Sequence, residues 1–432
     1  MKRSWVFGDL VSNLLERTWA ARPQDDTRTL SELTEALMSA EGEVSGYKLA
    51  ATLLARYQAG DDAERLAFFQ YLNTHLDLDA AQLATLAEDY ASNPTPKAFK
   101  KLCAVSEPRR QELLRRLNQP IGATRALVAM RVDLLRFVKS HPDLQRTDYD
   151  FIHLLRSWFN RGFLVLEQID WSTPATILDK IVTYEAVHQI DDFEDLRRRL
   201  APADRRCFAF FHPSMPGEPL IFVEVALTTE IPGSIADLLT EDRAPIRADE
   251  ATTATFYSIS NCQKGLAGIS FGNLLIKQVV AELSTELHGL KSFVTLSPIP
   301  GLTQWLSTQT DDEILGTAAG RALAGTAPDE VLRGLVARYL LKAKRSDGAP
   351  LDPVARFHLG NGAEVHEIHA GADPSENGKR QSCGAMVNYL YDLSHTEQNH
   401  EAFALRAKIA ASRNVETLLS TPIEPSRKGR VA

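Results

Sequence analysis

The sequence has few cysteines and no long apolar run. Its four cysteines are Cys103, Cys207, Cys262 and Cys383, and no two of them have the C-x-x-C spacing of a structural zinc site. So sparse a set fits free thiols in a reducing compartment better than a disulfide framework. No run of eighteen apolar residues occurs, so the sequence predicts no membrane-spanning helix and no membrane partner.

The chain also lacks a basic excess. Its 48 Lys and Arg residues face 56 Asp and Glu residues, and the formal net charge of −8 argues against a nucleic-acid partner. The opening MKRSWVFGDL becomes polar too quickly for a secretory signal, and the final RKGRVA carries no peroxisomal S-K-L address. The expected location is therefore the cytoplasm.

The first part of the chain is rich in helix patterns. Apolar residues recur at three- and four-residue spacing in GYKLAATLLARYQ, DDAERLAFFQYLNTHL, AAQLATLAEDYA, PRRQELLRRLNQ, ATRALVAMRVDLLRFVKSH and DYDFIHLLRSWFNRG. Asp61 and Asp62 are candidate caps for the second helix, and SNPTP ends the third. We expect a helical bundle over residues 1–158 that packs or mediates oligomerisation and supplies no catalytic group.

A different pattern follows, in which short β-rich runs alternate with helices. The predicted strands are RCFAFFH, PLIFVEVALT, ATFYSIS, SFVTL and AEVHEIH. Between the third and fourth lies a helix pattern with Phe271, Leu275, Val279 and Leu283 on one apolar face. A strand, a helix and a strand in that order predict a parallel pair. The expected fold is therefore α+β, with an α/β domain over residues 159–432.

The loop before that helix is rich in glycine. NCQKGLAGISFG contains Gly265, Gly268 and Gly272, which would let backbone N–H groups approach an anion such as a pyrophosphate. The spacing matches neither a P-loop nor a dinucleotide-binding fingerprint. It comes closer to the Q-x-x-G-x-G/A loop with which GNAT acetyltransferases hold coenzyme A, although Leu266 replaces the first glycine. A purely structural turn explains the glycines equally well.

The segment TLSPIPGL combines a lone serine with two prolines. Pro298 and Pro300 fix φ and remove two backbone donors, so the strand before them must end. The stiff turn would hold the Ser297 hydroxyl at a constant angle. A rigid strand-to-helix connection, with serine present for turn chemistry, is the alternative.

The segment LDPVARFHLGNGA predicts a short helix that carries a histidine. Asp352 suits its N-cap, Pro353 its first position and Gly360 its end. His358 then falls in the last turn, where the carbonyl dipoles should favour the imidazolium, raise its pKa toward neutrality and make it a proton donor. The alternative is a surface histidine that helps to cap the helix.

Eleven histidines raise the question of a metal site. His366 and His369 have H-x-x-H spacing, but residues three apart on a strand point to opposite faces. We therefore expect no metal centre.

Several of these segments together resemble one enzyme family. The chain resembles the malonyl-CoA decarboxylases in six segments, which occur in this order: HPSMPGEPLIFVEVALT, FYSIS, GLAGISFGNLLIKQVV, LSPIPG, FHLGNGA and SCGAMVNYLYDL. The resemblance implies a GNAT-like catalytic domain, conversion of malonyl-CoA to acetyl-CoA and carbon dioxide, and no metal or organic cofactor. It also implies a homo-oligomer, a tetramer arranged as a dimer of dimers.

The resemblance also implies the site residues. The catalytic pair would be Ser297 and His358. The malonyl-CoA-binding loop would be Ala267, Gly268, Ile269, Ser270, Phe271, Gly272 and Asn273. The family usually has an acidic residue where this chain has Ser270. Ser258 and Tyr391 match further active-site positions.

The chemistry explains why a serine and a histidine suffice. Loss of carbon dioxide from a malonyl thioester leaves an enolate, which needs a donor at its oxygen and a proton at its α-carbon. We expect Ser297 to orient the malonyl group and His358 to deliver the proton, while a relay through the serine stays open. The alternative functions are a GNAT-type acyltransferase and a non-catalytic sensor that binds coenzyme A esters.

Overall fold

The computed structural model describes residues 26–269, 272–309 and 313–420. The chain divides into two compact units. The first comprises the described residues up to Val165, the segment Phe211–Glu218 and the described part of 263–271. The second comprises the segments Leu166–Phe210 and Pro219–Cys262 and the described residues from Gly272 onward.

The first unit is helical, as predicted. Its helices are α1 Leu30–Ser39, α2 Glu43–Ala59, α3 Asp62–His75, α4 Ala80–Ser92, α5 Pro96–Val105, α6 Arg109–Leu117, α7 Ala123–Phe137 and α8 Gln145–Trp158. Asp61 caps α3 by accepting from the backbone N–H of Glu64, whose carboxylate bonds the N–H of Asp61 in return. The apolar face that the spacing predicts is buried. Its fully buried members include Leu53, Phe69, Leu72, Leu113, Leu127 and Leu134.

The second unit is built on a mixed sheet, which confirms the α+β prediction. Its strands are β1 Val165–Ile169, β2 Arg205–Phe211, β3 Ile221–Thr228, β4 Thr253–Asn261, β5 Ser292–Thr295, β6 Ser297–Pro298, β7 Glu364–His369 and β8 Met386–Leu390. Their order is β1-β2-β3-β4-β5-β8-β6, and β7 pairs with β8. All five predicted strands form, while β1, β6 and β8 were not predicted.

Helices connect these strands. They are α9 Ala175–Tyr184, α10 Phe193–Leu200, α11 Ile235–Leu239, α12 Gly272–Glu286, α13 Leu302–Ser307, α14 Glu313–Leu323, α15 Asp329–Lys342, α16 Pro353–Gly360, α17 Glu376–Ser382, α18 Thr396–Arg406 and α19 Arg413–Leu418. Within the described residues, none of the helices is both long and apolar enough to cross a lipid bilayer.

The sheet changes its pairing where β5 ends. β4 and β5 are parallel and joined through α12, as the strand–helix–strand pattern predicts, but their register stops at Phe256 opposite Thr295. β4 continues beside β3 as far as Asn261, whereas Ser297 and Pro298 pair with β8. Pro298 has no N–H to continue a parallel ladder. The divergence therefore leaves Ser297 at the point where β4 and the chain after β5 separate.

One glycine of the second unit fixes the turn after α16. Gly362 has a φ of +86°, and a Cβ there would lie 2.0 Å from the carbonyl oxygen of Thr396. Gly348 has a similar φ of +80° but open space around it. Gly348→Ala should therefore cost only the left-handed strain of about 1–2 kcal/mol. Gly362→Ala should cost more than about 3 kcal/mol, because backbone must move as well. Denaturant unfolding of both variants measures the difference, and equal losses would contradict this packing.

Candidate active site

Ser297 sits at the end of a buried strand. It follows Thr295 by two residues, and its side chain is only 5% exposed. The Ser297 hydroxyl donates to Thr295 Oγ1 over 2.8 Å. Thr295 is itself held by the backbone N–H of Tyr389, which donates to the same oxygen. The serine hydroxyl therefore has a defined direction, set by its neighbour on the strand.

His358 lies in the last turn of α16, as predicted. Asp352 caps this helix by accepting from the N–H of Ala355 over 2.8 Å, and Pro353 occupies its first position. The His358 ring is fully enclosed, with 2% of the residue exposed. It stacks on the ring of Tyr389 with centroids 4.6 Å apart. The imidazole is thus a buried group rather than a surface cap.

A continuous hydrogen-bonded chain runs through the imidazole. His358 Nε2 lies 3.2 Å from Ser297 Oγ, and His358 Nδ1 lies 2.8 Å from the hydroxyl of Tyr391. The fold thus brings together Ser297, His358 and Tyr391, three of the residues that the sequence singled out. Thr295 is a fourth member that the sequence analysis missed. The available clue was its position two residues before Ser297, which places both side chains on one face of an extended segment.

The direction of the first bond sets the tautomer of the histidine. Because the Ser297 hydroxyl donates to Thr295, its oxygen must accept from His358, so the proton of the neutral ring sits on Nε2. Nδ1 then carries the lone pair and accepts from the Tyr391 hydroxyl. The order of donation is therefore Tyr391 to His358, His358 to Ser297, and Ser297 to Thr295.

The expected pKa of His358 was wrong in its direction. Burial strips water from the imidazolium and lowers the pKa of His358 to about 3. The carbonyl dipoles at the end of α16 do not overcome this cost. His358 is therefore a neutral imidazole at physiological pH, and the proton it carries is the one on Nε2.

A buried carboxylate ties the serine turn to the histidine helix. Asp352 is fully buried, and it accepts from the backbone N–H of Gly301 in the turn as well as from Ala355 in α16. The Tyr339 hydroxyl contacts it from 3.4 Å. Burial raises the pKa of Asp352, while these donors act in the opposite direction. One side chain thus joins the segment after Ser297 to the helix that carries His358.

Ser258 belongs to a different cluster on β4. Its hydroxyl donates to both carboxylate oxygens of Glu185 over 2.8 Å, and Ser260 donates to the same carboxylate. Burial, with the nearby charge of Glu185, raises the pKa of Glu224 to about 8, although Arg199 contacts it. The structure therefore joins Ser258 to the half-buried carboxylate of Glu185 rather than to the serine–histidine chain, and its role at the substrate stays a prediction.

The glycine loop lies in the helical unit. Gly268 is exposed and has a φ of +79°, whereas Gly265 is buried against Val128, whose carbonyl oxygen would lie 2.0 Å from a Cβ. Ser270 and Phe271 lie outside the described residues. The side chain of Asn273 and the surroundings of Gly272 also lie outside them. The binding role of the loop stays a prediction.

The H-x-x-H histidines have separate partners. His366 Nδ1 lies 3.4 Å from Glu364, and His369 Nε2 bonds the side chain of Asn388. In the described ranges, no group of three or more His, Cys, Asp or Glu side chains is placed to hold a metal ion.

Two family models match consecutive parts of the chain. The malonyl-CoA decarboxylase C-terminal domain matches residues 162–429, and the N-terminal domain of the same family matches residues 76–159. The chain belongs to the malonyl-CoA decarboxylase family.

Individual relatives agree with this assignment. The mitochondrial malonyl-CoA decarboxylase of Anser anser anser is 37% identical over 352 residues, which cover 72% of this chain and 70% of that protein. The crystal structure of malonyl-CoA decarboxylase from Rhodopseudomonas palustris is 52% identical, with a TM-score of 0.85 and coverage of 90% of this chain and 98% of that one. The structure from Agrobacterium vitis is 49% identical, with a TM-score of 0.86 and coverage of 90% and 99%.

The buried state of His358 predicts how stability depends on pH. The imidazole of the unfolded chain takes up a proton below about pH 6.5, whereas the folded one stays neutral until about pH 3. Between these values the unfolded state binds more protons than the folded state. The free energy of unfolding of this member of the malonyl-CoA decarboxylase family should therefore fall by about 1.4 kcal/mol per pH unit of acidification through His358 alone.

His358→Asn removes that contribution, so its free energy of unfolding should fall less steeply with acid than the wild-type value. Denaturant titrations at several pH values between 6.5 and 4.5 measure the slopes, with His366→Asn as the matched histidine control. Parallel slopes for wild type and His358→Asn would contradict a neutral buried imidazole.

Proposed function

We propose that this protein is a malonyl-CoA decarboxylase, which converts malonyl-CoA to acetyl-CoA and carbon dioxide. The observation that carries the proposal is the hydrogen-bonded chain of Tyr391, His358 and Ser297 in a member of this family. These three residues comprise one acid–base group, His358, and two hydroxyls, with no charged side chain among them, which suits a reaction whose substrate brings its own negative charge.

The reaction breaks one carbon–carbon bond and forms one carbon–hydrogen bond. The electron pair of the bond to the carboxylate moves into the thioester, carbon dioxide leaves, and the resulting enolate takes one proton at its α-carbon. One proton is therefore consumed for each molecule of carbon dioxide released. A site that accelerates this reaction must stabilise the enolate oxygen and supply the α-proton.

Burial of the pair favours the first step. Ser297 and His358 are 5% and 2% exposed, so a malonyl carboxylate beside them would lose most of its water. Such a carboxylate leaves more readily as uncharged carbon dioxide, because the product needs little solvation. Before the bond breaks, the Ser297 hydroxyl turns from Thr295 Oγ1 to donate to the malonyl group, and this hydrogen bond orients the group.

The proton for the α-carbon comes from the neutral imidazole. His358 carries its proton on Nε2, which faces the Ser297 oxygen, so transfer runs from Nε2 to Ser297 while the serine proton passes to the enolate carbon. A thioester enolate is basic enough to accept a proton from so weak an acid. The hydroxyl of Tyr391 donates to Nδ1 and stabilises the negative charge that develops on the ring. Solvent restores the Nε2 proton between turnovers.

The division of labour along the chain is also part of the proposal. Residues 159–432 form the GNAT-like catalytic domain, and the loop from Ala267 to Asn273 binds the coenzyme A pyrophosphate. Residues 1–158 form the helical domain that builds a homotetramer as a dimer of dimers. The enzyme works in the cytoplasm, and its four free cysteines are consistent with a reducing compartment.

Incubation with malonyl-CoA alone tests the activity. The protein should release carbon dioxide and acetyl-CoA in equal amounts, without an added amine, metal ion or cofactor. An acyltransferase would release none until an acceptor is added, and a sensor would bind the thioester without turnover. Either result from folded protein would contradict the decarboxylase proposal.

Substitutions test the roles of the pair. His358→Asn should keep substrate binding but lose turnover by on the order of 10² to 10⁴, because it removes the proton donor. Ser297→Ala should lose turnover as well, and the losses should not add in the double variant, since both groups act on one transition state. Carbon dioxide release and thermal unfolding are measured together for each variant, with His366→Asn as a control. Near-wild-type turnover of folded His358→Asn would rule out this mechanism.

Light scattering tests the oligomer. A tetramer should persist through dilution to concentrations used in the activity assay, because an oligomer built by the helical domain does not depend on substrate. A monomer at every concentration would contradict this part of the proposal.

A further inference from the structure

A buried arginine of the helical unit holds the glycine loop. Arg131, on α7, is only 1% exposed. Its Nη1 donates to the carbonyl oxygen of Gly265 over 2.7 Å and to that of Ala267 over 2.8 Å. Its Nε donates to the carboxylate of Asp148 on α8 over 2.7 Å. The guanidinium therefore fastens two loop carbonyls to two helices of the same unit.

The glycine loop also packs closely against α7, the helix that carries Arg131. A Cβ at Gly265 would lie 2.0 Å from the carbonyl oxygen of Val128, which is on α7 one turn before Arg131. The backbone of the loop therefore touches the backbone of the helix, and only glycine permits the approach. This contact holds the loop backbone beside the helix that carries Arg131.

This arrangement fixes the direction of a backbone donor. The peptide that joins Ala267 to Gly268 is trans, as are all the described peptides, so its N–H points opposite to its C=O. The Ala267 carbonyl points inward to Arg131. The N–H of Gly268 consequently points away from the guanidinium. Gly268 is itself exposed and has no side chain to obstruct an anion that approaches this N–H.

We infer that Arg131 is a positioning residue, which orients the Gly268 N–H of the loop toward the pyrophosphate of the coenzyme A ester. The inference rests on the proposed function of the loop and deepens it, because it assigns the helical unit a part in substrate affinity. Arg131 touches no substrate. It acts on the nucleotide half of the substrate alone, through the backbone that it holds.

Two substrates separate this role from a general structural one. Malonyl-CoA carries the pyrophosphate, whereas the malonyl thioester of pantetheine ends before it. Arg131→Met removes all the donors, and Arg131→Lys keeps the charge beside Asp148 but lacks the planar fork that reaches several acceptors. Arg136→Met serves as a matched control, because Arg136 lies on the same helix and its guanidinium pairs with Asp62 and Asp133 instead.

With malonyl-CoA, kcat/KM of Arg131→Met should fall by about 10- to 100-fold, mostly through KM, the factor expected for a lost bond to a charged group. Arg131→Lys should show a smaller fall in the same direction, and it keeps the test available if the methionine variant fails to fold. With malonyl-pantetheine, kcat/KM of both variants should stay within about twofold of the wild-type value. An equal fall of kcat/KM with both thioesters would overturn the inference, and so would an unchanged kcat/KM with both.

The inference remains testable apart from the activity. If wild-type protein releases no carbon dioxide from either thioester, the proposed function fails, but calorimetric binding of coenzyme A still reports on the loop. The Kd for coenzyme A should rise about 10- to 100-fold in Arg131→Met and stay unchanged in Arg136→Met. An unchanged Kd in folded Arg131→Met would overturn the inference.

Discussion

The burial of one neutral imidazole is the constraint on which the second unit depends. His358 can be enclosed only because its ring nitrogens have partners, Ser297 at Nε2 and Tyr391 at Nδ1. Each partner comes from a different part of the sheet, since Ser297 begins β6 and Tyr391 follows β8. The change of pairing after β5, the stiff turn and the short helix α16 together bring these three side chains within hydrogen-bonding distance.

Local patterns were enough to predict much of this arrangement. The capping role of Asp352, the short helix after it and the parallel pair of β4 and β5 follow from residue types at fixed spacing. The two prolines after Ser297 predict that the strand must end. The prolines cannot predict which strand pairs with Ser297 and Pro298, because that strand, β8, lies almost ninety residues further along the chain. The identity of a strand's neighbour is a property of the whole sheet.

Two features of the candidate site depend on tertiary burial and escaped prediction for that reason. The pKa of His358 follows from its complete burial against the Tyr389 ring, which outweighs the helix-end dipole that the sequence makes visible. Likewise, nothing in the spacing of Arg131 connects it to a loop more than a hundred residues later. The helical half lacks a catalytic constellation, yet it holds the backbone of the predicted coenzyme A loop.

The arrangement of the site depends on the protonation state of His358, which nitrogen NMR of histidine-labelled protein measures directly. The signals of His358 are identified by their absence from His358→Asn. We predict one protonated nitrogen, Nε2, and one unprotonated nitrogen, Nδ1, throughout the range from about pH 5 to 8. Two protonated nitrogens at neutral pH would mean a buried imidazolium and would contradict the neutral ring.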